Sequence, residues 1–210
     1  MRFLSISAST TVREHDCPLD FFSWHSYDSI ENNRAYAHYA RRRLDEAGYS
    51  HTETTCNEWN FDVPARGTAR HAAVTCGMML MFQNTPLDSA MFYDAGFSVI
   101  PYASLFNPLT AQPFPTYYAF RAFGELYRLG EQVEVTVDGD ASNVYAVAAR
   151  QGGEACLLVA NTSGVDVPLT LEADGAVKKC LLTSEAGVEM ECDLPAILPP
   201  NSVLLIRLDA

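Results

Sequence analysis

The sequence predicts a mixed α/β fold, with a parallel sheet over residues 1–130 and an antiparallel β-sandwich over residues 131–210. In the first region, strand-like runs alternate with helical patterns, and the strand ends at Tyr27, Glu58 and Asp94 lie 31 and 36 residues apart. That spacing matches a repeating βα unit, which needs about 30 residues or more. After Gly130 the pattern changes to about seven short runs separated by Gly, Asp, Asn and Pro, which is typical of a sandwich.

The first βα unit begins at residues 19–24, a nearly continuous apolar run of the kind expected in a parallel strand covered on both faces. Asp28 predicts the start of the following helix, because it can cap the helix while Glu31 occupies an early position. Gly48 predicts its end.

The second unit is predicted as a strand at residues 50–56 and a helix that runs to about residue 83. One side of this helix carries mostly small residues that allow close approach to a sheet: Ala69, Ala72, Ala73, Cys76, Gly77 and Leu80. The third unit is predicted as a strand at 89–93 and a helix at 115–129. The later strands are predicted at 132–137, 144–150, 155–161, 167–172, 178–183, 188–192 and 203–208.

Composition narrows the functional classes. The net charge of −12 and the absence of a long basic block argue against binding of nucleic acid or of an anionic membrane. No segment approaches the ~20 apolar residues of a membrane span, and the N-terminus is a poor signal peptide, so a cytoplasmic location is expected. The six scattered cysteines contain no CxxC pair, which predicts reduced packing cysteines and neither a metal nor another cofactor.

The segment Asn57-Glu58-Trp59-Asn60 is the main candidate for chemistry, because it follows the second predicted strand. Catalytic groups of enzymes built from βα units lie at the carboxyl ends of strands. Glu58 is therefore a candidate catalytic carboxylate, although an exposed loop glutamate explains the same residue. His25 and Tyr27 end the preceding strand and would lie beside it.

Taken together, these units resemble the last part of a family 39 glycoside hydrolase, a family that includes β-xylosidases and α-L-iduronidases. The resemblance covers nearly the whole chain from about residue 17. It rests on residues 19–27 (LDFFSWHSY), Thr52-Glu53, Asn57-Glu58-Trp59-Asn60, Pro86-Leu87-Asp88, Phe92-Tyr93-Asp94 and the helix at 117–130.

The resemblance implies a carbohydrate substrate and assigns roles to the strand ends. Glu58 would be the nucleophile of a retaining enzyme, and Tyr27, from a His-x-Tyr pair with His25, would hydrogen-bond it. Asp94 would close the pocket from the last strand. Trp59 would stack on a sugar ring, although a tryptophan beside a strand end is as often part of the core.

The resemblance also implies that this chain lacks the family's general acid. The family's general acid lies in an Asn-Glu motif at the end of the fourth strand, but the only Asn-Glu of this chain is the one at Glu58. A complete barrel needs about 250 residues, whereas about 130 precede the sandwich. A partial (β/α) barrel equivalent to units six to eight is therefore expected, with a helix stub in residues 3–15. Its open edges predict a homo-oligomer or a second chain that covers them.

Three functional hypotheses follow. The first is a glycoside hydrolase-like protein that has the nucleophile but no acid and is inactive alone. The second is a non-catalytic carbohydrate-binding or assembly module, and the third is a truncated product without independent function. Glu53 is the other candidate carboxylate, but in a regular strand its side chain would point away from that of Glu58, which predicts a polar layer in the barrel interior. His38, His51 and His71 are predicted to be structural or surface residues.

Overall fold

The parallel sheet is present in the computed structural model, which describes residues 12, 14, 15, 17–94, 103–139 and 142–209. Its strands are β1 (Phe21–Ser26), β2 (Glu53–Trp59) and β3 (Ser89–Phe92), in the order β1-β2-β3. Both strand pairs are parallel. The predicted parallel arrangement is therefore confirmed, while most of the predicted helix stub at residues 3–15 lies outside the described residues.

A helix follows each strand along the chain. These helices are α1 (Ile30–Glu46), α2 (Ala69–Phe82) and α3 (Pro115–Leu129). The predicted cap at Asp28 is wrong by one residue, because the side chain of Ser29 accepts the N–H of Asn32. Asp28 instead accepts hydrogen bonds from Asn32 and from the hydroxyl of Tyr36 at the positive end of α1.

The second region is antiparallel, as predicted. Its strands are β4 Glu131–Val133, β5 Val144–Gln151, β6 Glu154–Asn161, β7 Val167–Pro168, β8 Val177–Ser184, β9 Gly187–Cys192, β10 Ile197–Leu198 and β11 Ser202–Asp209. The main sheet has six strands in the order β4-β5-β6-β11-β8-β9, and β7 and β10 form a separate two-stranded sheet. Strand β10 was not predicted from the sequence.

The core lies on both sides of α2. Of the residues in this helix, all but Arg70 are buried, because one side packs toward the parallel sheet and the other toward β5, β6 and β11. A Cβ atom at Gly77 would lie 2.9 Å from side-chain atoms of both Thr162 and Tyr145, so this approach requires glycine. The small residues named from the sequence are therefore only part of the packing surface.

Gly130 marks the change from helical to extended structure. It adopts a left-handed conformation with φ of 78°, directly between the end of α3 and the start of β4. One apolar cluster nevertheless joins α2 and α3 to the antiparallel sheet. Division into domains at residues 1–130 and 131–210 stays a prediction. Within the described residues, no helix is long and apolar enough to cross a membrane.

Candidate active site

A β-bulge in β2 determines the direction of Glu58. Trp24 lies opposite Cys56 and His25 lies opposite Glu58, so Asn57 is an extra residue in β2. The bulge shifts the alternation of side chains by one position. It places Glu58 on the same face of the sheet as His25.

The same bulge corrects the prediction for Glu53. Opposed residues share a face, and the pairs Phe21 with Glu53 and His25 with Glu58 put all four side chains on one face. The opposite parity expected of a regular strand is therefore wrong. Glu53 lies at the other end of β2 and is exposed on the face away from the helices, so its place in an interior polar layer stays a prediction.

Glu58 is held by two neighbours from the end of β1. The hydroxyl of Tyr27 donates a hydrogen bond to Oε1 of Glu58. Nδ1 of His25 lies 3.4 Å from Oε2, which is an electrostatic contact longer than a usual hydrogen bond. The His25 side chain is 55% exposed and that of Glu58 26% exposed, so the group opens to solvent. The predicted convergence of the three side chains is confirmed, while their roles stay predictions.

The phenol of Tyr27 is a permanent donor in this arrangement. Burial, followed by the hydrogen bond to Glu58 and the charge of that carboxylate, raises the pKa of Tyr27 well above its ordinary value. The ring also makes an edge contact with Tyr93, with ring centroids 6.5 Å apart. Tyr27 therefore orients one carboxylate oxygen and stays protonated at every pH of biological interest.

A buried polar network supports the ends of β2 and β3. Asn60 donates from Nδ2 to the carbonyl of Tyr93 and, over 2.9 Å, to the hydroxyl of Ser104. Its Oδ1 accepts the backbone N–H of Phe61 at 2.6 Å and contacts Nε2 of His71 at 2.8 Å. The amide of Asn60 thus ties the two strand ends to α2.

His71 completes this network from α2. Because Oδ1 of Asn60 is an acceptor, Nε2 of His71 carries the proton, and Nδ1 accepts from the hydroxyl of Thr116 at 2.7 Å. Burial, followed by the charge of Arg66, lowers the pKa of His71 to about 3. Both ring nitrogens have partners in the neutral form. The structural reading of His71 is confirmed, but its link to the candidate site joins residues 45 positions apart and left no signal in the sequence.

The other two predicted substrate-binding residues are Trp59 and Asp94. Trp59 is 3% exposed, and its ring lies against Phe82 and Phe92 at centroid distances of 5.5 and 5.0 Å. The alternative of a core tryptophan describes this ring better than sugar stacking. Asp94 follows Tyr93 at the same end of the sheet and is partly exposed, and its predicted role is not tested by this placement.

The described residues hold no group of three or more His, Cys, Asp or Glu side chains that is arranged for a metal ion. All six cysteines are free thiols. The candidate site itself consists of a carboxylate held by a phenol and an imidazole.

Comparison with solved structures identifies the kind of fold. The chain is similar to a glucosidase from Croceicoccus marinus, with a TM-score of 0.71 and 16% identity over 96% of this chain and 56% of that one. It is also similar to a family 39 β-xylosidase from Caulobacter crescentus, with a TM-score of 0.66 and 15% identity over 96% and 54% of the chains. A family 30 endoxylanase from Clostridium papyrosolvens gives 0.61 and 16% over 91% and 49%.

These likenesses show a glycoside hydrolase-like fold. They include families 39 and 30 alike, so they do not single out the family that the sequence resembles. The chain spans about half the length of these structures. No family model and no curated protein matches the sequence.

Proposed function

We propose that this chain is the nucleophile-bearing part of a retaining glycoside hydrolase of the β-xylosidase type, with Glu58 as the nucleophile. The observation that carries the proposal is the convergence of Tyr27 and His25 on the two oxygens of Glu58 at the carboxyl end of a parallel sheet. Catalytic groups of βα-built enzymes lie at that end. The glycoside hydrolase-like fold supports it.

The geometry suits a nucleophile. In retaining hydrolysis one carboxylate attacks the anomeric carbon while a second, protonated carboxyl group about 5–5.5 Å away protonates the leaving oxygen. Hydrogen bonding of Oε1 by Tyr27 leaves the second oxygen beside His25 and partly open to solvent. His25 and Asp94 are proposed to contact the sugar from neighbouring strand ends.

The general acid is proposed to come from polypeptide outside this chain. The two partners of Glu58 are a phenol and an imidazole, and neither is a carboxylic acid. The chain spans only about half the length of the solved structures it resembles. The sheet face that carries Glu58 also exposes the side chains of Phe21 and Met91. Additional βα units from a second chain, or from a longer polypeptide, would cover that face and supply the acid.

The isolated chain is therefore expected to hydrolyse unactivated xylosides negligibly, because general acid–base help alone is typically worth about 10²–10⁴-fold in rate. The test uses an aryl glycoside or a fluorosugar with a good leaving group, which reduces the need for an acid. We expect one covalent sugar adduct on Glu58 by mass spectrometry, with turnover stalled because no base activates water.

Matched variants make the test specific. Glu58→Gln should abolish the adduct, whereas Glu53→Gln should keep it, because Glu53 lies on the same face of β2 at the opposite end of the strand. Labelling of Glu53 in place of Glu58 would contradict the proposal. Efficient multiple turnover of a natural disaccharide by a monomer would contradict the missing acid.

A second candidate function is a non-catalytic carbohydrate-binding or assembly module. The exposed Phe21 and Met91 side chains on the open sheet face favour it, at 61% and 55% exposure. Two results together would favour this function over the enzymatic one. The Glu58→Gln variant would still bind glycan, and the unaltered chain would form no covalent adduct.

A further inference from the structure

Two cysteines face each other at one edge of the antiparallel sheet. Cys180 on β8 lies directly opposite Cys192 on β9. Opposed residues point to the same face, with Cβ atoms about 4.5–5.5 Å apart, and both side chains belong to one apolar cluster. Cys156, also in this sheet, lies opposite Ala149 and Arg207 instead.

The position of this pair suits a covalent bond. A disulfide needs Cα atoms about 4.4–6.8 Å apart and Cβ atoms about 3.5–4.5 Å apart, so an opposed pair has to approach only slightly. β9 is the outermost strand in the six-stranded order and pairs there with β8. A small shift of β9 therefore leaves the pairing of the inner strands unchanged.

We propose that Cys180 and Cys192 form a reversible cross-strand disulfide, with a small disulfide such as oxidised glutathione as the oxidant. The partly exposed Cys192 thiolate attacks the oxidant, which forms a mixed disulfide and releases one glutathione thiolate. The Cys180 thiolate then attacks the Cys192 sulfur and releases the second. Two thiol protons leave the protein, and its two electrons reduce one glutathione disulfide to two thiols. This inference does not depend on the proposed glycosidase function.

The bond would fix the edge of the sheet. It closes the short connection between β8 and β9, and β9 carries Glu189, whose carboxylate lies 3.1 Å from the guanidinium of Arg121 on α3. Oxidation would therefore hold β9, the strand that contacts α3, against β8. Reduction would let β9 separate from β8 more readily. Burial raises the pKa of both thiols, so the exchange should be slow at neutral pH.

The test is fragment mapping of the full chain after equilibration with oxidised glutathione in mildly alkaline buffer. Trypsin is unsuitable, because the sequence has no Lys or Arg between Cys180 and Arg207. A glutamate-specific protease cuts between the two cysteines, at Glu185, Glu189 and Glu191. We expect a fragment pair joined through Cys180 and Cys192 that separates on reduction.

Two cysteine variants and one exchange measurement complete the design. Cys192→Ser should abolish the linked pair, and Cys17→Ser, which removes an exposed thiol elsewhere, should keep it. Amide exchange of residues 187–192 should slow by about tenfold or more on oxidation of the unaltered chain and stay unchanged in Cys192→Ser. Complete alkylation of both thiols in the folded chain after oxidant treatment overturns the proposal, as does a link to another cysteine. A link without slower exchange overturns the effect on the edge strand.

Discussion

Glu58 is a carboxylate whose two oxygens have different neighbours. The phenol of Tyr27 holds Oε1 by a hydrogen bond, and the imidazole of His25 stands 3.4 Å from Oε2. Because burial and Glu58 itself raise the pKa of Tyr27, the phenol does not compete for the role of base. One oxygen is thus oriented while the other remains available for chemistry.

Removal of the phenol hydroxyl should slow the labelling of Glu58. A hydrogen bond to a charged group contributes about 1.5–3 kcal/mol, so Tyr27→Phe should reduce the rate of adduct formation roughly 10–100-fold. The measurement is the time course of labelling by the activated glycoside. Tyr36→Phe is the control, because it removes a phenol that donates to Asp28 instead, and its labelling rate should match that of the unaltered chain. Equal rates for Tyr27→Phe and the unaltered chain would refute the orienting role.

The pKa of His71 gives the chain a specific sensitivity to acid. The pKa is lowered to about 3 in the folded state, whereas it is about 6.5 in an unfolded chain. The unfolded state therefore binds more protons between these values, so the contribution of His71 is complete above pH ~6.5 and is lost as the pH falls toward ~3. The free energy of unfolding should fall by up to about 1.4 kcal/mol per pH unit in this window from His71 alone.

Urea unfolding at several pH values checks this effect. His71→Gln should be less stable at neutral pH, because it disturbs the contacts with Asn60 and Thr116, but its stability should depend less on pH within the same window. His38→Gln is the control, since His38 is exposed on α1, and it should retain the slope of the unaltered chain. Identical slopes for all three proteins would show that His71 does not titrate as described.

At the scale of elements, strand positions were harder to predict than strand existence. The predicted strand at 50–56 is β2 at Glu53–Trp59, so Glu58 lies inside the strand. Residues 50–56 resemble a strand by their residue types, whereas the end of the strand is set by hydrogen bonds such as that from the N–H of Tyr93 to the carbonyl of Trp59, at 2.9 Å. The bulge at Asn57 left no mark in the pattern of residue types, and this is why the parity argument for Glu53 failed.

Deletion of Asn57 should remove the bulge without turning Glu58. Trp24 and His25 already lie opposite Cys56 and Glu58, so the shortened strand alternates regularly and keeps Glu58 on the face away from the buried Cys56. We therefore expect the deletion variant to keep the covalent adduct on Glu58 and to lose no more than about 3 kcal/mol of unfolding free energy. Labelling by the activated glycoside and urea unfolding measure the two effects. Asn57→Ala keeps the residue count and is the control, with an expected cost under about 1 kcal/mol; loss of the adduct in a folded deletion variant alone would mean that the bulge itself is needed to direct Glu58.

At the scale of the whole molecule, the sequence predicted which regions are parallel and antiparallel but not how they meet. Helix α2 is buried nearly all round because the antiparallel sheet covers the side that the parallel sheet leaves open. The sequence of this helix predicted that only the face with small residues packs against a sheet. Met78 and Met79, however, are buried like Ala72 and Ala73. The close approach of Gly77 to Tyr145 and Thr162 joins residues far apart in the chain, and no local pattern encodes it.

Among the residues that the structure describes, the parallel sheet has one covered face and one open face. The helices and the antiparallel sheet cover the face with Cys56 and Trp59, whereas Phe21 and Met91 are mostly exposed on the other. Parallel sheets are normally covered on both faces. The open face and the outer edges of β1 and β3 within the described chain are therefore the surface where further polypeptide is expected to pack.

In isolation, the chain should associate through this open face. Burial of exposed apolar surface contributes about 25 cal/mol per Å², so light scattering should give a mass above that of one chain, rising with concentration. The double variant Phe21→Gln and Met91→Gln should shift the mass toward that of a monomer. At a dilution where both proteins are monomeric, its midpoint of thermal unfolding should match that of the unaltered chain, because both side chains are mostly exposed in the single chain. Tyr127→Gln is the control: Tyr127 is 82% exposed on α3, away from the open face, and its replacement should leave the association unchanged. A strict monomer at high concentration would contradict this prediction, and the open face would then be stable in water without a partner.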